Sequence, residues 1–228
     1  MIDKLICNNP YHEPSVHWKN TGGLEYARIP GRRPAGYTVA TREQARQGSG
    51  TFRELVVVNQ LRERVHRWRG EGWPHTSGAT KRLLRHWSER EQREGLTQFF
   101  FCQMEAIETL IYLAETPEGA QFARSIPGDG GDWKRLCCKM ATGTGKTLVM
   151  AMTIAWQVLN KVNDPRNPKF SKHIFVVAPN LTVKSRLQVL HPAAQKGAGD
   201  WKETNYYETH DIVPRELMPL LRQGQVLI

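Results

Sequence analysis

Eight consecutive residues carry the most specific chemistry in the chain: Met140-Ala141-Thr142-Gly143-Thr144-Gly145-Lys146-Thr147. They follow a short apolar run at 136–140 and precede a stretch in which Leu148, Met152, Ala155 and Leu159 recur at helical spacing. A glycine-rich turn between a strand and a helix is the setting a phosphate-binding loop requires. Gly143 and Gly145 let the backbone turn tightly, and without a Cβ their amides can approach phosphate oxygens. The following helix points free amides and a partial positive charge at the same place. Lys146 can reach the β- and γ-phosphates of a nucleoside triphosphate, and Thr147 can offer its hydroxyl to the Mg2+ that bridges them. Met140 stands where the usual pattern begins with glycine, a departure outweighed by the Gly-Lys-Thr core between strand and helix. The competing reading is a chance glycine-rich turn followed by an ordinary surface lysine.

This octapeptide resembles motif I of superfamily 2 helicases, especially the motor subunits of type III and type I restriction enzymes. Two further segments fall in the order that family shows. Phe99-Phe100-Phe101-Cys102-Gln103-Met104-Glu105-Ala106 resembles its upstream glutamine motif. The resemblance implies that Gln103 recognises adenine, so that the nucleotide is ATP: one amide side chain can both donate to and accept from the adenine edge. Val176-Val177-Ala178-Pro179-Asn180-Leu181-Thr182 resembles motif Ia, which ends a strand and meets the backbone of the tracked nucleic acid. Pro179, Asn180 and Thr182 become the expected nucleic-acid contacts, with Lys184 and Arg186 adding charge. A helix cap, with Thr182 satisfying the first turn, is the plainer reading, and both can hold.

The resemblance therefore assigns ATP to Gln103, Ala141, Thr142, Gly143, Thr144, Gly145, Lys146 and Thr147. Lys146 and Thr147 are the catalytic positions, and Thr147 is the magnesium position. The activity implied is ATP hydrolysis coupled to DNA translocation or duplex remodelling in a restriction-endonuclease-like enzyme. Double-stranded DNA is the expected partner, with a modification or nuclease subunit as a further candidate. Gly31-Arg32-Arg33-Pro34-Ala35-Gly36-Tyr37 and Leu83-Leu84-Arg85-His86-Trp87 resemble the N-terminal leader of one subgroup of these motors. No Asp-Glu pair, the acidic motif that hydrolysis needs in this family, occurs in the chain. The expectation is thus a fragment that stops before that motif and turns over almost no ATP alone. An RNA helicase, or a non-catalytic binding module on a vestigial nucleotide fold, are the alternatives.

The elements that must position these residues read as follows. Residues 1–50 are irregular or short-stranded, punctuated by Gly22-Gly23, Pro30-Gly31, Pro34 and Gly36, with a loop at 47–50. Leu61, Val65 and Trp68 form one helical stripe, with Arg62, Arg64, Arg67 and Arg69 on other faces. Further helices are expected over 79–90, 101–114, 147–160 and 182–190, with a break at 126–131. Strands are expected at 136–140, at 173–178 as a run buried on both faces, and from 225. This alternation predicts an α/β fold with a parallel sheet, a P-loop NTPase (RecA-like) domain at 96–228 behind a basic, partly helical leader at 1–95.

Composition sets the outer bounds. Hydrophobic residues make up 39% of the 228, enough for a core, and no run of 18 apolar residues suggests a membrane span. The net charge is +10, and residues 1–98 hold 17 Lys/Arg against 10 Asp/Glu, compatible with a polyanionic partner. The four cysteines form no Cys-x-x-Cys pair, and adjacent Cys137 and Cys138 read as part of a buried strand. With no secretion signal, the composition fits a reducing, cytoplasmic setting.

Overall fold

The computed structural model describes residues 6–22, 25–47, 50–92, 95–96, 98–128, 130–131, 135–193 and 205–228. Of the expected turn residues, Gly23, Gly48, Ser49 and Asp129 lie outside that set. The chain divides into two compact units, Met1–Gly72 and Trp73–Ile228.

The first unit is built on two antiparallel hairpins. Strands β1 (Val16–Gly22) and β2 (Glu25–Pro30) pair with Trp18 opposite Arg28. Strands β3 (Gly36–Val39) and β4 (Thr51–Glu54) pair with Thr38 opposite Phe52. Between β3 and β4 runs the short helix α1 (Arg42–Arg46), started by Thr41, whose hydroxyl accepts from the Gln44 amide while Gln44 reaches back to the Thr41 amide. The chain leaves β4 at Glu54 and enters α2 (Val56–Gly70), which buries Val65 and Trp68 of the expected stripe. Asn59 of α2 ties that helix to β3: it accepts from the Ala35 amide at 2.8 Å and donates to the Glu54 carboxylate at 2.7 Å.

The second unit is helical around one parallel strand pair. Helices α3 (Gly78–Ser88), α4 (Phe101–Glu115), α5 (Pro117–Ser125) and α6 (Lys146–Asn163) form its centre, α6 packing on both α3 and α4. Helices α3, α4 and α6 lie where the sequence pattern placed them, and α5 was not among the expected helices. Leu83, Leu84, Ile107, Ile111, Met152, Ala155 and Leu159 are buried, and each large aliphatic chain among them contributes ~1.5–3 kcal/mol. Gly119 lets α5 fold back on α4, since a Cβ there would lie 1.9 Å from the Tyr112 carbonyl oxygen. Strand β5 (His173–Phe175) then leads to α7 (Leu181–Leu187), α8 (Tyr206–Thr209) and α9 (Met218–Leu221) before β6 (Gln225–Leu227) returns parallel to β5. No helix among the described residues is long and apolar enough to cross a membrane.

Two strand expectations need correction. Residues 136–140 form no strand, and Leu136, Cys137 and Cys138 are exposed rather than buried. The expected strand at 173–178 is regular only to Phe175, and Phe175 and Val177 are 72% and 76% exposed. The physical reason is common to both. A strand exists only through a neighbour that pairs with it, and apolar composition records a preference for burial without supplying that neighbour. Among the described residues the parallel sheet is represented by the β5–β6 pair.

A buried polar cluster joins α3, α4 and α6. Glu115, at the last turn of α4, accepts from the Ser77 amide at 2.8 Å, the Thr80 hydroxyl at 2.5 Å and the Trp156 indole at 2.6 Å. Asn160 of α6 donates to the Thr80 hydroxyl at 2.8 Å and accepts from the Ser77 hydroxyl. Removing the carboxylate orphans two buried donors, on Thr80 and Trp156, and the half-buried Ser77 amide. Glu115→Ala is therefore expected to destabilise the chain by about 3 kcal/mol or more. Exposed Glu118→Ala should cost about 1 kcal/mol or less. Urea midpoints measure both, and equal midpoints would show that the cluster contributes nothing.

Candidate nucleotide-binding site

The loop at 140–147 leaves the irregular 135–140 segment and enters α6 at Lys146. Gly143 and Gly145 hold the left-handed φ values of 80° and 76° that the turn needs and that only glycine adopts without strain. Gly145 is the N-cap of α6, and no side chain caps that helix, so its first-turn amides keep an electropositive face. Thr144 braces the turn through its hydroxyl, which donates to the Ala141 carbonyl at 2.7 Å. Lys146 is exposed, and its ammonium folds back onto the loop, donating to the Met140 and Ala141 carbonyls at 3.2 and 2.8 Å. Thr147 is half-buried in the first turn of α6, while Ala141, Thr142 and Gly143 are exposed.

Gln103 comes to this loop from α4. It is 5% exposed, and its Nε2 donates to the Thr144 carbonyl at 2.9 Å while its Oε1 accepts from the Phe100 amide at 2.9 Å. The glutamine thus closes the first turn of its own helix and holds the phosphate loop with the same amide. A Cβ on Gly145 would lie 2.3 Å from Gln103 Nε2, so glycine at 145 serves this approach as well as the turn. Beside it, burial pushes the Cys102 thiol up, away from a thiolate nucleophile.

Pro179, Asn180 and Thr182 follow β5 and open α7, all three exposed. The helix is capped, but by Asn180 rather than Thr182: Asn180 Oδ1 accepts from the Val183 amide at 2.9 Å, and Thr182 lies within the helix. Gln103 and the phosphate loop are therefore joined by a hydrogen bond, whereas the bond made by Asn180 stays within its own helix turn. Sequence reasoning did not find the Gln103–Thr144 bond or the Glu115 cluster. Neither has a local sequence signal, because each joins residues more than 30 positions apart.

Residues 97–210, half of the chain, match the family of the type III restriction enzyme res subunit. The chain belongs to that family. The matched segment contains Gln103, the 140–147 loop and the 176–182 segment, and membership carries with it a P-loop NTPase fold of the helicase-like kind. No curated protein and no solved structure matches the chain significantly.

The Gly145–Gln103 approach makes a thermodynamic prediction. Gly145→Ala combines a left-handed alanine with a blocked side chain and should cost about 1–3 kcal/mol. Gln103→Ala should cost about 1 kcal/mol through the lost loop bond. Because the second change removes the atom that the first collides with, the double variant should lose less than the sum. A denaturant cycle over the four chains measures this, and strict additivity would show that the two residues do not meet.

Proposed function

We propose that the chain binds ATP with Mg2+ at the 140–147 loop and belongs to a DNA-dependent helicase or translocase of a restriction-type enzyme. The observation that carries the reading is the loop itself: two left-handed glycines, an uncapped helix N-terminus and an exposed lysine, held from behind by Gln103, inside the family match.

Each residue has a role that its position supports. The amides of 143–147 line the turn and the start of α6, where a polyphosphate is favoured by both hydrogen bonding and the helix dipole. Lys146 has three donors, and transfer of these from the Met140 and Ala141 carbonyls to phosphate oxygens replaces neutral acceptors by charged ones. Thr147 offers a hydroxyl, and Mg2+ when bound neutralises charge on the phosphates. Gln103 uses one Nε2 hydrogen and one Oε1 lone pair on the protein, which leaves one donor and one acceptor for the adenine edge. Pro179, Asn180 and Thr182, exposed where β5 ends and α7 begins, are the proposed contacts to the DNA backbone.

The chain has no Asp-Glu pair, so the decisive test is of binding rather than turnover. In titrations with a fluorescent ATP analogue and Mg2+, Lys146→Ala should weaken binding by about tenfold or more while the thermal melt is unchanged. Unaltered affinity in a well-folded Lys146→Ala chain would remove the proposal. In the same assay Gln103→Ala should narrow the preference for ATP over GTP by about tenfold, and an unchanged preference would reduce Gln103 to a brace for the loop.

A further inference from the structure

The first unit carries a site that the nucleotide reading does not use. Two clefts open on it and share Arg33 and Pro34 in their walls. The first, about 850 Å3, is lined by Arg32, Arg33, Arg62, His66 and Arg67, with Glu13, Glu54 and Glu63 opposing them. The second, about 780 Å3, lies between the two hairpins and is lined by Trp18, Lys19, Asn20, Arg33 and Phe52 among others.

The lining of the first cleft holds four arginines against three glutamates. Glu13 meets Arg32 at 3.5 Å, His66 at 2.7 Å and Arg69 at 3.9 Å, and Glu54 accepts from Asn59. Residues 1–72 as a whole hold 12 Lys/Arg against 7 Asp/Glu. A positive cleft of this kind selects a polyanion.

The second cleft adds an aromatic face. Phe52 is 42% exposed, yet its ring is fixed in place. A Cβ on Gly36 would lie 2.3 Å from Phe52 Cζ, so the ring rests directly against the β3 backbone. The Arg33 guanidinium lies 5.8 Å from the ring centroid, and half-buried Trp18 lines the same cleft. A partly exposed aromatic ring with a guanidinium over it, inside a cleft, offers a flat Arg–Phe edge on which an unpaired base can stack, whereas a base held in a duplex is already stacked on its neighbours.

We propose that the two clefts form one continuous site for an unpaired nucleic-acid strand, with phosphates along the Arg62 and Arg67 wall and bases against Phe52 and Trp18. Arg33, common to both clefts, serves the step between backbone and base. The site stands on residues 6–72 alone and does not depend on the phosphate loop.

Fluorescence anisotropy of the whole 228-residue chain tests it. The probes are labelled single-stranded DNA and RNA of one sequence, about 20 nucleotides long, and the corresponding DNA duplex. A single strand should bind more tightly than the duplex, whether both chemistries bind or one. Phe52→Leu should weaken it by about tenfold, and Phe52→Tyr should retain it. Arg62→Ala and Arg67→Ala should each flatten the logarithmic salt dependence by about 0.7. Lys146→Ala, which tests ATP binding, should leave strand binding intact, so the two readings fail independently. Tighter binding to duplex than to strand overturns the proposal. So does full affinity in Phe52→Leu combined with Arg62→Ala and Arg67→Ala, or loss of binding on Lys184→Ala with the cleft variants silent.

Discussion

Helix α4 is bound to the helix that carries the phosphate loop at both of its ends, and the second unit is organised around that constraint. At its first turn Gln103 donates to the Thr144 carbonyl, one residue before the N-cap of α6. At its last turn Glu115 accepts from the Trp156 indole, more than two turns further along α6. The two helices also pack on each other, and Ile107 and Ile111 of α4 and Met152 and Ala155 of α6 are buried. Apolar packing alone leaves a helix pair free to slide by small amounts, because the contact is non-directional. Two directional bonds near opposite ends remove that freedom. The position of the loop is therefore set by the packing of α4, and through Glu115 by the N-cap region of α3 as well.

What was legible in the sequence follows from this distinction. The helices were legible because periodic apolar residues report burial on one face, and α3, α4 and α6 begin and end within a few residues of their expected bounds. The turn of the loop was legible because glycines at 143 and 145 are the residues that accept left-handed backbone. The polar bonds that align the elements were not, since they join residues distant in sequence and leave no period. Glu115 reads as a surface glutamate until Ser77, Thr80 and Trp156 are seen around it. The segment at 136–140 shows the opposite failure: Leu136 and the two cysteines have strand-like composition, and nothing in composition reveals whether a neighbour pairs with them. Asn180 and Thr182 differ for a smaller reason. Both residue types cap helices, and the choice between them turns on where the backbone first becomes helical.

Net charge is a poor guide to where a basic protein meets its partner, because cations also serve the fold. Arg90 donates to the His210 carbonyl and stacks over Phe99 at 4.2 Å, so its role is internal. Arg82 pairs with Glu216, and Arg222 with Glu208 at 3.0 Å. The first unit differs in placement: there several arginines line clefts together with three glutamates, and an aromatic ring stands beside them. Location beside a concave surface, more than the sum of charges, marks where cations can meet a ligand.

The loop's two ends answer differently to a bound anion. At the Gly145 end the chain is pinned from behind: the left-handed glycine leaves no room for a Cβ against Gln103, and the Thr144 carbonyl is already satisfied. That bond uses a carbonyl and leaves the first-turn amides of α6 without a side-chain cap. The Lys146 ammonium, by contrast, is engaged with the Met140 and Ala141 carbonyls and must change partners to reach an anion. Releasing it leaves those carbonyls to water, which costs little because Ala141 is exposed. In the proposed ATP site the lysine would exchange these neutral acceptors for charged phosphate oxygens, a rearrangement of one surface side chain, while the Gln103–Thr144 bond in the interior stays as it is.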